Sequence, residues 1–314
     1  MRRPKKLLIY HGILSKFNQY DNPYDYEKIA KDLAGYNVIV LGDGLQELDN
    51  EDFDKSKEIL DRVRYFRPNI EIYGHVDTDL EDGIWLEKVN NWYNNLDVNG
   101  IFMNNSGYDY GTWATNGRRA FIWKVDYIHS KAMKCFVNAS NPDHVLGVNN
   151  DRNYPNTTWN PNQLGTNLSF FDIYLLEHFV HGKYDDSNEL KYEYPGTWEL
   201  RGKNANKYRE KIRLASASQL DHSSIDPQYP TIVDIMIQAS ALMHNLDYVS
   251  MSDVNYSKNS NFCLNISFNR DIDRDWGLPC EITHSGLDYY RFYEHGCIFM
   301  RWVPGQEGAN FNSY

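Results

Sequence analysis

In its first half the chain alternates five short apolar runs with four stretches of helical spacing. This rhythm limits the possible folds more than any other feature. The apolar runs are 7–10, 38–41, 70–73, 101–103 and 135–137. They lack the polar alternation of a strand with one wet face, so they read as parallel strands buried on both sides. Between them, 26–33, 53–65, 85–96 and 120–132 have helical spacing. Ile59, Leu60, Val63 and Phe66 recur at intervals of three or four, as one buried helix face requires. Strand–helix units in series build a parallel sheet through right-handed crossovers.

The second half continues with longer connections. Residues 171–176 read as a sixth strand, 212–217 as a seventh after a short helix near 206–210, and 248–251 as an eighth after a helix over 232–244. Eight strands predict a closed (β/α)8 barrel, and a chain of 314 residues suits such a barrel with an appendage. From about residue 262 the helical period stops. Residues 262–268, 289–293 and 297–302 read as antiparallel strands. The expected organisation is a barrel over 1–260 and a β-rich segment over 261–314 packed on it. Residues 149–165, rich in Asn and Pro, read as a loop.

Charge and motifs exclude several classes. Acidic residues outnumber basic ones 43 to 32 and no basic stripe exists, which argues against nucleic acid. No run reaches membrane-spanning length. The basic start MRRPKK precedes an apolar run too short for a signal peptide, so a cytoplasmic or virion-associated protein is expected. No Gly-x-Gly-x-x-Gly follows the first strand, and no cofactor is expected. The spacings of Cys135, Cys263, Cys280 and Cys297 match no zinc pattern. The acidic loop from Asp271 to Glu281 has Gly277 one position late and Glu281 one early for an EF-hand, so no metal is expected there either.

In a barrel of this type chemistry sits where strands end. The ends carry Tyr10 and His11, then Asp43, then His75 and Asp77, then Asn104, Asn105 and Asp109. Later ends carry Asn138, Glu177 with His178, Asp221 with His222, and Ser252 with Asp253. Asp and Asn at such places often only cap helices or make turns. Glu177 stands apart, because Glu is a poor cap and it follows a wholly apolar run. Tyr110, Trp113 and Trp198 fall in expected loops above the mouth, where flat rings with polar tips suit sugar stacking.

The segments IEIYGHVDT, VNNWYNNLDVNGIFMNNSGYDYG, VDYIHSKAMKCFVNASNP, LLEHF and YYRFYEHGCIF together resemble the spherulin-4-like glycoside hydrolases, the endo-α-1,4-polygalactosaminidase group. The resemblance implies a glycosidase barrel acting on an amino-sugar or other polysaccharide. It also exposes a departure. The family places Asp-Glu one apolar residue after its Gly-Ile-Phe, and this chain has Asn104 and Asn105 there. Glycoside hydrolysis needs one group to protonate the leaving oxygen and a second to act as nucleophile or base. An amide does neither; it only hydrogen-bonds.

Two readings follow. In one, Glu177 with Asp77 or Asp109 performs carboxylate acid/base catalysis, and Tyr10, Asp43, His75, Asn104, Asn105, Tyr110, Trp113, Asn138, Trp198 and Asp253 bind the polysaccharide. In the other, the cleft survives as an inactive glycan-binding or structural module, for example in a phage particle or a cell-surface assembly.

Overall fold

The computed structural model describes residues 4–19, 25–107, 117–148, 160–184, 190–192, 197–220, 232–253, 279–285, 288–301 and 308–313. Eight parallel strands form a closed barrel: β1 (Lys5–Tyr10), β2 (Val38–Leu41), β3 (Glu71–Asp77), β4 (Gly100–Asn104), β5 (Lys134–Asn138), β6 (Ile173–Leu176), β9 (Arg213–Leu220) and β10 (Tyr248–Asp253). Closure is made by β10 on β1, with Lys5 opposite Tyr248. The (β/α)8 expectation therefore holds. The intervening β7 (His181–Tyr184) and β8 (Leu190–Tyr192) form a hairpin laid on the end of β9.

The helices are α1 (Tyr26–Leu33), α2 (Phe53–Phe66), α3 (Asp82–Leu96), α4 (Gly117–Ser130), α5 (Asp143–Leu146), α6 (Thr197–Asn206) and α7 (Ile232–Met243). Helices α1 to α4 each turn one stripe inward; in α4 the stripe includes Phe121, Val125 and Ile128, whereas α7 is buried on every side from Met236 to Met243. The helix expected near 206–210 lies earlier, as α6. At 206–211 the chain makes tight turns instead, with Tyr208 N–H donating to Ala205 and Lys211 N–H to Tyr208.

Where an eighth helix would follow β10, a four-stranded antiparallel sheet stands in the described residues: β11 (Pro279–Ser285), β12 (Asp288–Tyr293), β13 (Gly296–Arg301) and β14 (Gly308–Ser313). It packs on α7, and Tyr293 Oη donates to the Leu242 carbonyl at 3.1 Å. The strands read at 289–293 and 297–302 correspond to β12 and β13. The strand read at 262–268 and most of the acidic loop from Asp271 lie outside the described residues.

Side chains alternate along the barrel strands with period two. Leu7, Val40, Tyr73, Phe102, Phe136 and Leu175 are among those that fill the interior. Leu8, Ile39, Ile72, Met103, Val137 and Leu176 face the helices. The interior has a polar layer at each end. At the N-terminal end, the Glu71 carboxylate accepts from Arg213 at 3.0 and 3.2 Å, Lys134 at 3.0 Å and the Tyr73 hydroxyl at 2.6 Å. Arg213 also donates to the Tyr248 hydroxyl at 2.6 Å.

Candidate active site at the barrel mouth

The polar layer at the opposite end is assembled from strands β3 to β6. Parallel register places Asp77 beside Asn104. Asn104 Nδ2 donates to Asp77 Oδ1 at 2.8 Å. Asn138 Nδ2 donates to Asn104 Oδ1 and to Glu177 Oε2, each at 2.9 Å. His75 Nε2 lies 3.6 Å from Asp77 Oδ1. One row of polar groups thus crosses the mouth from His75 through Asp77, Asn104 and Asn138 to Glu177. Among the described residues each carboxylate keeps a second oxygen with no hydrogen-bond partner, and no lysine or arginine pairs with either.

Local structure fixes these groups. Arg201 of α6 donates to the Glu177 carbonyl, and to the His178 carbonyl at 2.7 Å, which pins the chain just beyond β6. Trp92 Nε1 donates to the His75 carbonyl at 3.1 Å. Gly74 makes that approach possible, since a Cβ there would lie 2.1 Å from the Trp92 ring. Asn105 sits in the left-handed region at φ 53°, a conformation that Asn tolerates better than most residues. The next residue returns to the site, with Ser106 N–H donating to the Asn138 carbonyl at 2.8 Å.

Two histidines close the β1 side. The His11 and His75 rings meet edge to face with centroids 5.2 Å apart. Gly42 lets His11 in, because a Cβ there would stand 2.7 Å from the His11 Cα. Burial, helped by the His75 ring, pushes His11 down to about 4 against the pull of Asp77. Burial also lowers His75, opposed by Asp77, Asp43 and Glu177. Both rings are therefore neutral near pH 7. His75 Nδ1 is buried and has no hydrogen-bond partner.

Not every expected residue belongs here. Tyr10 is fully buried on the outer face of β1, its hydroxyl donating to the Ile13 carbonyl and its ring against Phe17. Period two turns Leu7, Ile9 and His11 inward and Tyr10 outward, so His11 takes the place expected of Tyr10. Trp198 is not on a loop above the mouth. It is the second residue of α6, 3% exposed, packed against Phe179, His244 and Tyr289. Asp43 lies at the rim, held by Lys88 at 2.7 and 2.8 Å and by Gln46 at 2.9 Å. Burial would raise Asp43, but these partners hold it below the usual carboxylate range. Asp253 ends β10, and its side chain is outside what is described, as are residues 109, 110 and 113.

No family model matches the chain, and no curated protein does. Among solved structures, an endocellulase from Pyrococcus horikoshii shares 12% identity over 79% of this chain and 83% of its own, with a TM-score of 0.45. A protein described only as a glycoside hydrolase shares 10% over 95% and 79%, also at 0.45. A D-psicose 3-epimerase shares 11% over 79% and 84%, at 0.43. Structural neighbours thus include glycoside hydrolases beside enzymes of other chemistry. Likenesses this distant carry no argument about the reaction.

Proposed function

We propose that the mouth is a glycosidase-type site for an amino-sugar or other polysaccharide, with Glu177 as general acid/base and Asp77 as its carboxylate partner. One observation carries this reading: two inward carboxylates at the C-terminal end of the barrel, joined among the described residues through the amides of Asn104 and Asn138. Amide N–H groups orient a carboxylate without supplying a proton or a full positive charge. Each acid keeps one oxygen for a substrate. The neutral His75 edge and Phe102 give the floor an apolar side, 5.6 Å apart by ring centroids, as the face of a sugar ring would need.

The test is Glu177→Gln assayed on galactosaminoglycan, chitosan and neutral glucans. Gln keeps the size and the bond to Asn138 but cannot transfer a proton. Cleavage is expected to fall by about 100-fold or more, with the variant still folded. Unchanged turnover would clear Glu177 of the role.

A second reading has its own observation. Asn104 occupies, between Asp77 and Asn138, the place where the resembled family carries an acid. A site disarmed at that point would bind glycan and leave it intact. Wild type that retains a polymer without cutting it would favour this reading. Asn104→Asp with Asn105→Glu should then restore hydrolysis if the cleft is otherwise preserved.

A further inference from the structure

A second cavity lies outside the barrel, between α6, the end of α7 and the antiparallel sheet. Its volume is about 350 Å³, and Lys203, Asn206, His244, Asn245 and Arg291 line it, with Glu199 as the one carboxylate. Its charge is unbalanced. The Arg291 Nε–H donates to the Cys280 carbonyl at 2.9 Å, and with the Asn245 amide turned so that its oxygen faces the guanidinium, which satisfies both groups, the two Nη atoms donate to that oxygen at 3.1 and 3.2 Å. These bonds use three of the five guanidinium N–H groups. No carboxylate pairs with Arg291, and Lys203 has no ion pair, among the described residues.

The surroundings make this costly. Arg291 is half-buried, its guanidinium 5.7 Å from the centre of the Tyr293 ring, and a cation partly withdrawn from water gains from an anion that joins it. Burial, together with the like charge of Arg209, lowers Arg291 from its usual range. His244 is 3% exposed, its Nε2 has no partner, and burial followed by the Arg291 charge pushes it down to about 3. Gly202 of α6 accommodates the ring, since a Cβ there would lie 2.4 Å from it. The imidazole is thus a neutral wall, and the positive charge of the cavity comes from Arg291 and Lys203.

We propose that this cavity binds a small anionic molecule, whose carboxylate or phosphate pairs with the free N–H groups of Arg291 and with Lys203. A guanidinium fork matches either oxyanion. Asn206 and Glu199 offer polar contacts to the rest of the molecule, which favours a hydroxylated body such as a sugar acid or a sugar phosphate. None of the residues that line it belongs to the polar row at the mouth.

The experiment titrates the whole protein, by calorimetry at low ionic strength, with glucuronate, glucose 6-phosphate, inorganic phosphate and neutral glucose. The imidazole resonances are followed in parallel. At least one of the two sugar anions is expected to bind and to shift the His244 signals, while glucose leaves them unmoved. Tighter glucuronate would assign a carboxylate ligand, and tighter glucose 6-phosphate a phosphate. Arg291→Gln should weaken binding by about tenfold or more, as loss of a charge-assisted pair does. Because Arg291 also ties Cys280 to Asn245, the exposed Lys203→Met serves as the second variant; it should fold normally and weaken binding several-fold. Glu177→Gln should leave this binding unchanged. No anion bound, anion binding indifferent to both cation variants, or glucose binding as well as the anions would overturn the proposal. Inorganic phosphate binding alone would mark an adventitious ion only and would overturn it as well.

Discussion

The two ends of the barrel interior are built from the same eight strands and treat charge in opposite ways. At the N-terminal end Glu71 is enclosed by Arg213, Lys134 and the Tyr73 hydroxyl, and charge is cancelled where it stands. At the C-terminal end Asp77 and Glu177 are held by amides, with the His75 ring beside Asp77 and, among the described residues, no lysine or arginine in contact. A network that satisfies every member serves stability, whereas carboxylates that keep a vacant oxygen remain available to a ligand. The contrast separates a layer whose charges are cancelled in place from one whose carboxylates are held, among the described residues, by amides alone.

The largest expected effect breaks the closed layer. Arg213→Met leaves Glu71 buried with part of its partnership gone and should destabilise the fold by about 3 kcal/mol. Denaturant melts would check this, and the loss should far exceed that of Glu177→Gln, which keeps its hydrogen bond. If the two variants melt alike, the division between the ends is wrong.

Acid separates the ends next. Burial alone would raise Glu71, but Arg213, Tyr73 and Lys134 outweigh it and hold it at about 2, against an ordinary 4.5. Its contribution is complete above pH 4.5 and disappears as pH falls through 2. His11 is depressed from 6.5 to about 4, so its contribution is complete above 6.5 and disappears as pH falls through 4. Each is worth on the order of 2 kcal/mol after solvent screening. Stability measured against pH should lose its upper step in His11→Asn and its lower step in Glu71→Gln.

A smaller effect has the opposite sign. His129, at the end of α4, is raised chiefly by its 3.0 Å bond to the buried Asp172. Its contribution is complete below pH 6.5 and is lost as pH rises through the higher folded value. His129→Gln should flatten that alkaline decline. Smallest of all, Lys88→Met removes the rim pair to Asp43 and should cost under about 1 kcal/mol, while releasing the Asp43 carboxylate to the mouth. A shift of substrate preference without a shift in the melt would be the signature.

The barrel was legible because strands buried on both faces need unbroken apolar runs, and such runs are visible one residue at a time. Position along a strand was legible too: His75, Asp77, Asn104, Asn138 and Glu177 all lie at or near the ends where they were expected. Direction was harder. Tyr10 and His11 are adjacent, and only the alternation beginning at Leu7 tells which of them faces inward. Trp198 shows another limit, since an aromatic ring suits a sugar and a core equally, and its neighbours His244 and Tyr289 come from distant segments. The β7–β8 hairpin was not read, because three- and four-residue strands hold too little pattern. The bonds that join the row across the mouth depend on register between strands, which no single stretch of sequence contains.

Asn138 has a consequence for handedness. By occupying Oε2 of Glu177 it makes the two oxygens of that carboxyl inequivalent, and Oε1 is the one left without a partner among the described residues. A proton delivered from Glu177 would leave from one defined oxygen along one defined direction. The leaving atom of a bound chain would have to meet it there. The barrel would then distinguish the two directions in which a polymer can lie across its mouth, accepting the polarity that brings the scissile oxygen to Oε1 and presenting only an amide-bound oxygen to the other.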